Sequence, residues 1–304
     1  MIRRYPDRVV IRDVGPRDGL QPEQPVAVED RVRLVEALQD AGVRHIEVAA
    51  FVSPRAVPAM VGAADVLAGI SRRAGATYAA LVPNAKGAEL ALDAGIDELT
   101  VTISASETYN QRNVKMSTAE SEDVIEVIVG LAGAGSGSGP VPVDAVISCA
   151  FGSPYEGEIP PADVAGLARR LLDRGVTTVT YADTTGMATP RRIDDLLDVV
   201  PTAGIGLHLH DTRGTGLVNA YAALERGVAR FDTAVGGLGG SPFAQGAGGN
   251  LATEELVAVL DDLGVHTGVH LEALIGAAGL IEDLVGRPVP SRVAHHGPRT
   301  RGAS

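Results

Sequence analysis

One short signal recurs along the chain: a helical pattern stops at a glycine, and a small or branched apolar residue then opens a strand-like run. It occurs at Gly42-Val43, Gly75-Ala76, Gly95-Ile96, Gly175-Val176, Gly204-Ile205 and Gly227-Val228. Glycine just past a helix accepts the left-handed conformation that closes the last turn, and the apolar residue enters the next strand. The strand-like runs are 9–14, 45–49, 77–81, 98–104, 141–147, 177–181, 206–210 and 230–235, with amphipathic stretches between them. In the first stretch Val28, Val32, Val35 and Leu38 share one face at helical spacing. Repetition of helix, glycine and strand means βα units on a parallel sheet. An open doubly wound sheet and a closed barrel both fit. Eight units favour the barrel, and no Gly-x-Gly-x-x-Gly follows the first strand to suggest a dinucleotide fold. The expectation is an α/β (β/α)8 TIM barrel in one domain, 1–290, with a C-terminal helical extension.

Length and composition agree. A chain of 304 residues can form a single barrel, and its apolar content is mostly Ala, Val and Leu, with no Trp. Val, Ile and Leu suit the layered interior of a barrel, and Ala and Leu the helices around it. Residues 133–142, rich in Gly, Ser and Pro, read as a flexible surface loop between the fourth helix and the fifth strand. Residues 291–304 have no period and read as a disordered tail. The net charge of −12 opposes nucleic-acid and anionic-membrane binding, but leaves room for an anionic small substrate held by local cations. Cys149 is the sole cysteine, so no intrachain disulfide is possible. It reads as an inert core residue. The first thirteen residues are charged and have no apolar run, which reads as neither a signal peptide nor a membrane span; a cytoplasmic protein is expected.

Barrel enzymes work from the C-terminal ends of their strands. Reading those positions in order gives Gly15-Pro16-Arg17-Asp18-Gly19 after the first strand, Glu47 on the second and Asp183-Thr184-Thr185-Gly186 after the sixth. His208-Leu209-His210-Asp211 lies on the seventh, and a glycine-rich stretch, 236–249, followed by Asn250 comes after the eighth. Side chains alternate along a strand, so His208 and His210 point the same way. Two imidazoles on one face can chelate a cation, although alone they could equally be packed histidines. Asp18 and Asn250 could complete a shell of nitrogen and oxygen donors suited to a divalent ion with open water sites. The stretch 236–249 reads as a mobile lid carrying Ser241 and Phe243, or as a surface connection or phosphate cradle. Arg17 beside Asp18 in a tight glycine turn suits an active site better than a solvated pair. Asp183 and Glu47 are weaker candidates that could each pair with an arginine.

At these positions the chain resembles the 3-hydroxy-3-methylglutaryl-CoA lyase family, within the wider group of metal-dependent barrel lyases and aldol-type synthases. The resemblance runs from Val9 to about Val285. It rests on Val14-Gly15-Pro16-Arg17-Asp18-Gly19-Leu20-Gln21, Phe51-Val52-Ser53-Pro54, Pro83-Asn84-Ala85-Lys86-Gly87, Ser148-Cys149-Ala150-Phe151-Gly152, Pro154-Tyr155-Glu156-Gly157, His208-Leu209-His210-Asp211-Thr212 and Gly249-Asn250-Leu251-Ala252-Thr253-Glu254.

It implies that Asp18, His208, His210 and Asn250 bind Mg2+ or Mn2+, and that Arg17 stabilises a developing enolate oxygen. Asp13 and Glu47 match acidic positions near that arginine, with Asp13 taken as catalytic. Glu47, Asn84 and Lys86 are taken as substrate-binding. The implied reaction breaks a carbon–carbon bond of an acyl-CoA, as in leucine degradation, and releases acetyl-CoA; a homodimer is carried as an expectation. The chain departs from the family at Ser241, where the family lid has a cysteine assigned to proton transfer. A hydroxyl is a far weaker acid than a thiol. It departs again at Arg213-Gly214-Thr215, where an aromatic residue, Gly and Gln are usual. Both departures fall at the mouth and bear on substrate and rate. Three readings stay open: the family lyase, a relative acting on another hydroxy or keto acid, and a catalytically weak paralogue that binds metal and acyl-CoA.

Overall fold

The computed structural model describes residues 5–135, 139–240 and 249–299. Eight strands, β1 (Val10–Asp13), β2 (His45–Ala50), β3 (Thr77–Leu81), β4 (Glu98–Ser104), β5 (Val143–Ser148), β6 (Thr178–Ala182), β7 (Ile205–His208) and β8 (Arg230–Thr233), close into a barrel in chain order. Every neighbouring pair is parallel, and β1 returns to β8 with Val10 opposite Arg230 and Asp13 opposite Thr233. Around the barrel run α1 (Val28–Asp40), α2 (Ala63–Gly69), α3 (Ala85–Asp93), α4 (Glu107–Val114), α5 (Thr118–Ala134), α6 (Pro161–Asp173), α7 (Pro190–Leu197), α8 (Gly216–Glu225) and α9 (Thr253–Asp262). Two more, α10 (Leu271–Val285) and α11 (Arg292–His296), form the C-terminal extension.

The recurrent glycines do what their pattern implies. All six have positive φ. At Gly42, Gly95, Gly175 and Gly227 the following residue's N–H reaches back five residues, as with Val43 to the carbonyl of Leu38 at 3.0 Å, which is the six-to-one closure of a Schellman turn. At Gly42 a Cβ would also lie 2.3 Å from the carbonyl oxygen of Gly268.

Three expectations are corrected. Helix α5 runs on to Ala134, capped at its start by a reciprocal Ser117–Glu120 box, so the loop before β5 begins at Gly135. Residues 291–299 are not a loose tail: Ser291 is buried, its side chain caps α11 by accepting from Ala294 N–H at 3.2 Å, and its own N–H bonds the carbonyl of Gly236 at 3.1 Å. The barrel interior, third, is not filled by Val, Ile and Leu alone. Arg12 on β1 is buried among Asp232 on β8, Asp144 on β5 and Glu98 on β4, at 2.6, 2.7 and 3.0 Å. Arg230 reaches Asp144 at 3.1 Å, and His45 reaches Glu98 at 3.1 Å. Glu98 is held down to about 2: burial alone would raise it, but His45 and then the two arginines outweigh burial. This charged layer forms the floor of the barrel, since His45, Glu98 and Arg230 open their strands.

Candidate metal centre

The turn after β1 winds wider than an α-turn. Gly19 and Leu20 donate to the carbonyls five residues back, Val14 at 3.2 Å and Gly15 at 3.0 Å. Single turns of this π type occur frequently at functional sites. This one presents Arg17 and Asp18 together at the barrel mouth. Arg17 is buried; its Nε donates to Glu47 Oε2 at 2.5 Å and its Nη1 to Asp18 Oδ1 at 2.5 Å. Burial works against its charge, but Glu47 and Asp18 more than restore it. For Asp18, burial would raise the carboxyl, yet the charges of Arg17 and His208 hold it below the ordinary carboxylate range.

His208 ends β7, and the chain beyond it pairs with the segment that follows the glycine-rich stretch. His210 bridges Asn250, Asp211 N–H bonds the carbonyl of Gly249 at 3.0 Å and Leu251 N–H that of Leu209 at 2.9 Å. One ligand atom each from Asp18, His208 and His210 lie within 4.8 Å of one another. The two Nε2 atoms face each other at 3.2 Å, and His208 Nε2 is 3.9 Å from Asp18 Oδ2. Burial and the neighbouring His208 push His210 down to about 3, so its imidazole is neutral and offers a lone pair. Asn250 joins through its Nδ2, which donates to Asp18 Oδ2 at 2.8 Å, while its Oδ1 is buried without a partner among the described residues. Gly239 lies against this pair. A Cβ there would be 2.3 Å from Asn250 Nδ2 and 3.2 Å from Asp18 Oδ2, and its φ of +117° further restricts the position to glycine. One carboxylate, two imidazoles and an orphaned amide oxygen are a donor set that fits a divalent cation.

These residues open into a cavity of about 540 Å³. Its lining includes Arg17, Asp18, His208 and His210 together with the apolar Val57, Leu81, Tyr109, Val114, Met116 and Val124, from the end of β3 and from the segments after β2 and β4. Thr102 and Ser148 also line it, beside Thr184, and sequence reasoning passed over those two as site residues. Inward positions of β4 and β5 two residues apart were the available signal.

The remaining candidates are dispersed. Glu47 is buried beneath Arg17 and holds its guanidinium in place. Asn84 sits at the cavity rim but caps α3, accepting from Gly87 N–H at 3.0 Å. Lys86 is 73% exposed and pairs with Glu89 at 3.2 Å, outside the cavity lining. Asp13 does not join the cluster as expected: its oxygens accept from Gly15 N–H at 2.8 Å and Thr253 Oγ1 at 2.6 Å, fully buried beneath the turn. Burial pushes that carboxyl up to about 7. Asp183 is pushed up to about 7 by burial, with one oxygen accepting from Ala188 N–H at 2.8 Å and the other unpartnered among the described residues. Arg213 turns away from the cavity and donates to the carbonyls of Thr185 and Gly186 at 2.8 and 2.6 Å, tying the loop after β6 to the loop after β7. Ser241 and Phe243 lie outside the described residues.

A closed parallel barrel with an Asp–His–His cluster and a buried arginine at its C-terminal mouth defines a class, the barrel enzymes that work with a divalent ion. Comparison with known proteins narrows it. The HMGL-like family profile matches residues 8–281, and the chain belongs to that family, whose members depend on a divalent metal. A hydroxymethylglutaryl-CoA lyase of Bacillus subtilis is 42% identical over 293 residues, 95% of this chain and 97% of that one. A 3-hydroxy-3-isohexenylglutaryl-CoA/hydroxy-methylglutaryl-CoA lyase of Pseudomonas aeruginosa is 45% identical over 294 residues, again 95% and 97% of the two chains. The solved structure of an HMG-CoA lyase from Acinetobacter baumannii, in complex with coenzyme A and 3-methylmalate, superposes with a TM-score of 0.91 at 38% identity, covering 98% of each chain. The chain is a carbon–carbon lyase.

Proposed function

We propose that this lyase cleaves 3-hydroxy-3-methylglutaryl-CoA to acetyl-CoA and acetoacetate, with Mg2+ or Mn2+ held by Asp18, His208, His210 and the Asn250 oxygen. The observation that carries the reading is Arg17. It is buried, charged and fixed by Glu47 and Asp18, beside the Asp–His–His cluster on the same cavity wall. Bond cleavage leaves an enolate on the departing thioester, and a preorganised guanidinium stabilises that oxygen as its charge develops. Glu47 and Asp18 fix the fork in advance, so little reorganisation is needed when the charge forms. The ion would supply Lewis-acid polarisation of the substrate's oxygens. Ser241 replaces the proton-transferring cysteine of the resembling family, and general acid–base catalysis is typically worth about 10²–10⁴ in rate. A homodimer in the cytoplasm completes the proposal.

The test is product analysis after incubating the purified chain with Mg2+ and the thioester. Acetyl-CoA and acetoacetate are expected in equal amounts. Ser241→Cys should raise kcat, with a pH dependence near the free-thiol pKa of ~8.5. No cleavage by either protein would remove this substrate. The apolar wall of Val57, Leu81, Val114 and Met116 then favours a second reading, a hydroxyglutaryl-CoA with a larger apolar substituent at carbon 3, as the Pseudomonas relative's name describes for that enzyme.

A further inference from the structure

His208 meets different partners at its two ring nitrogens. Nε2 faces His210 and Asp18; Nδ1 faces Asp232 Oδ2 at 3.4 Å, directly across from it on the neighbouring strand. Asp232 is fully gripped by Arg12, Nε to Oδ1 at 2.8 Å and Nη2 to Oδ2 at 2.6 Å, and Arg12 is itself held by Asp144 and Glu98. Two charge-assisted N–H bonds keep Asp232 a carboxylate, which can only accept. A neutral imidazole has one N–H, and an acceptor at Nδ1 draws it there.

We propose that Asp232 is a positioning residue for the metal centre: it holds His208 as the Nδ1–H tautomer, so that the Nε2 lone pair points at the cation before the cation arrives, and Arg12 braces Asp232 from the barrel floor. The two histidines are therefore unequal. His210 Nδ1 has no partner among the described residues, so apart from its contact with His208 Nε2 no protein group sets its ring; His208 is the anchor and His210 the ligand that adjusts. Nothing in the resemblance or in strand-end reasoning singles out Asp232 or Arg12. This inference rests on the metal reading of the Asp18–His208–His210 cluster.

The experiment combines nitrogen-15 spectra of histidine-labelled full-length protein with calorimetric Mn2+ titration of the parent and of Asp232→Asn. Burial lowers the His208 ring, but Asp232 and Asp18 outweigh it and raise it above its ordinary value, so the spectra are followed upward in pH until the ring is neutral, and there the metal-free parent is expected to carry His208 as Nδ1–H. In Asp232→Asn, Arg12 still claims the side-chain oxygen and turns the amide N–H2 toward His208. The imidazole should then switch to Nε2–H, and Mn2+ affinity should fall about 10–100-fold, the usual cost of losing such a partner. A merely structural residue would lower the unfolding temperature without reversing a tautomer. If the variant fails to fold, the parent spectrum alone decides. A parent that binds Mn2+ while carrying His208 as Nε2–H would overturn the role of Asp232, as would a folded Asp232→Asn that binds Mn2+ as tightly as the parent. A parent that binds no Mn2+ would overturn the metal reading itself.

Discussion

The floor and the mouth of this barrel both bury charge. On the floor every carboxylate meets a guanidinium: Asp232, Asp144 and Glu98 surround Arg12, and Arg230 adds a second cation. At the mouth, polar atoms are left over, among them Glu47 Oε1, His210 Nδ1, Asn250 Oδ1 and Asp183 Oδ2. Native interiors leave few polar atoms unmatched; His210 lines the cavity, and Glu47 and Asn250 bond its lining residues Arg17 and Asp18, so a ligand bound there could complete part of the pairing. The carboxylates of the floor are paired within the chain, although Arg230 Nε has no partner among the described residues, and the leftover oxygens and ring nitrogen of the mouth are free for what binds there. Substitutions on the floor should therefore read out mainly in stability, Asp232 alone also reaching the metal centre through His208, and substitutions at the mouth in function.

Arg12→Met should have the largest effect. It strips the shared cation from three buried carboxylates, and removing one partner of a buried ion pair typically costs about 3–5 kcal/mol. Denaturant unfolding of the variant would measure it. A loss below about 1 kcal/mol, the range of exposed ion pairs, would mean that the floor is not held by this network. Arg17→Ala comes next, and it acts on the other side of the comparison. Turnover on the true substrate should fall about 10²–10³-fold, and Arg17→Lys should recover little, since a point charge does not reproduce the fork. Its unfolding midpoint should move less than that of Arg12→Met. Unchanged turnover would place the reacting oxygen elsewhere.

Glu254 sharpens the contrast through pH. Its carboxylate accepts from Gly236 N–H at 3.0 and 3.2 Å, with no cation among the partners described, and burial, with a smaller push from Asp13, lifts it to about 7. An acid whose folded pKa is raised contributes stability below its unfolded pKa and loses it as pH rises toward the folded value. The protein should therefore lose up to about 3 kcal/mol from this group between pH 4.5 and 7. Glu98 on the floor behaves oppositely: its stability is present above its unfolded pKa and is lost as pH falls toward about 2. Denaturation of Glu254→Gln at pH 5 and pH 8 should show a smaller difference than the parent. An equal difference would assign the fall to Asp13 and Asp183. Lys86→Ala should do least: its exposed partner is Glu89 on the same helix, so both unfolding and the KM for the thioester should stay at parental values. A rise in KM would bring Lys86 back to the substrate.

Much of this was legible before any coordinates. The glycine stops located the strand entries because a left-handed helix end is a local property, decided by one residue. All eight expected strands are present, with ends that differ by three residues or fewer. Asp18, His208 and His210 could be read because strand ends converge in a barrel whatever its details. What escaped depends on closure. Arg12, Glu98, Asp144 and Asp232 lie on four different strands, and charges in strand-like runs look like solvated positions until the sheet closes and turns them inward. Asp13 shows the reverse limit, a residue near the site in sequence whose described partners lie elsewhere. It is five residues from Asp18, but the wide turn between them leaves it facing Thr253 rather than Arg17.

Ser291 ties the last short helix to the mouth. Its N–H bonds the carbonyl of Gly236, Arg292 N–H bonds Glu255 at 2.7 Å, and Glu254, two residues past the site strand segment, bonds both Gly236 and Ser291. The segment at Ser291 and Arg292 thus works as a keystone for the start of the glycine-rich stretch. A truncation that removed Ser291 would take away a support of the chamber's wall, although the cut lies some forty residues from Asn250 in sequence.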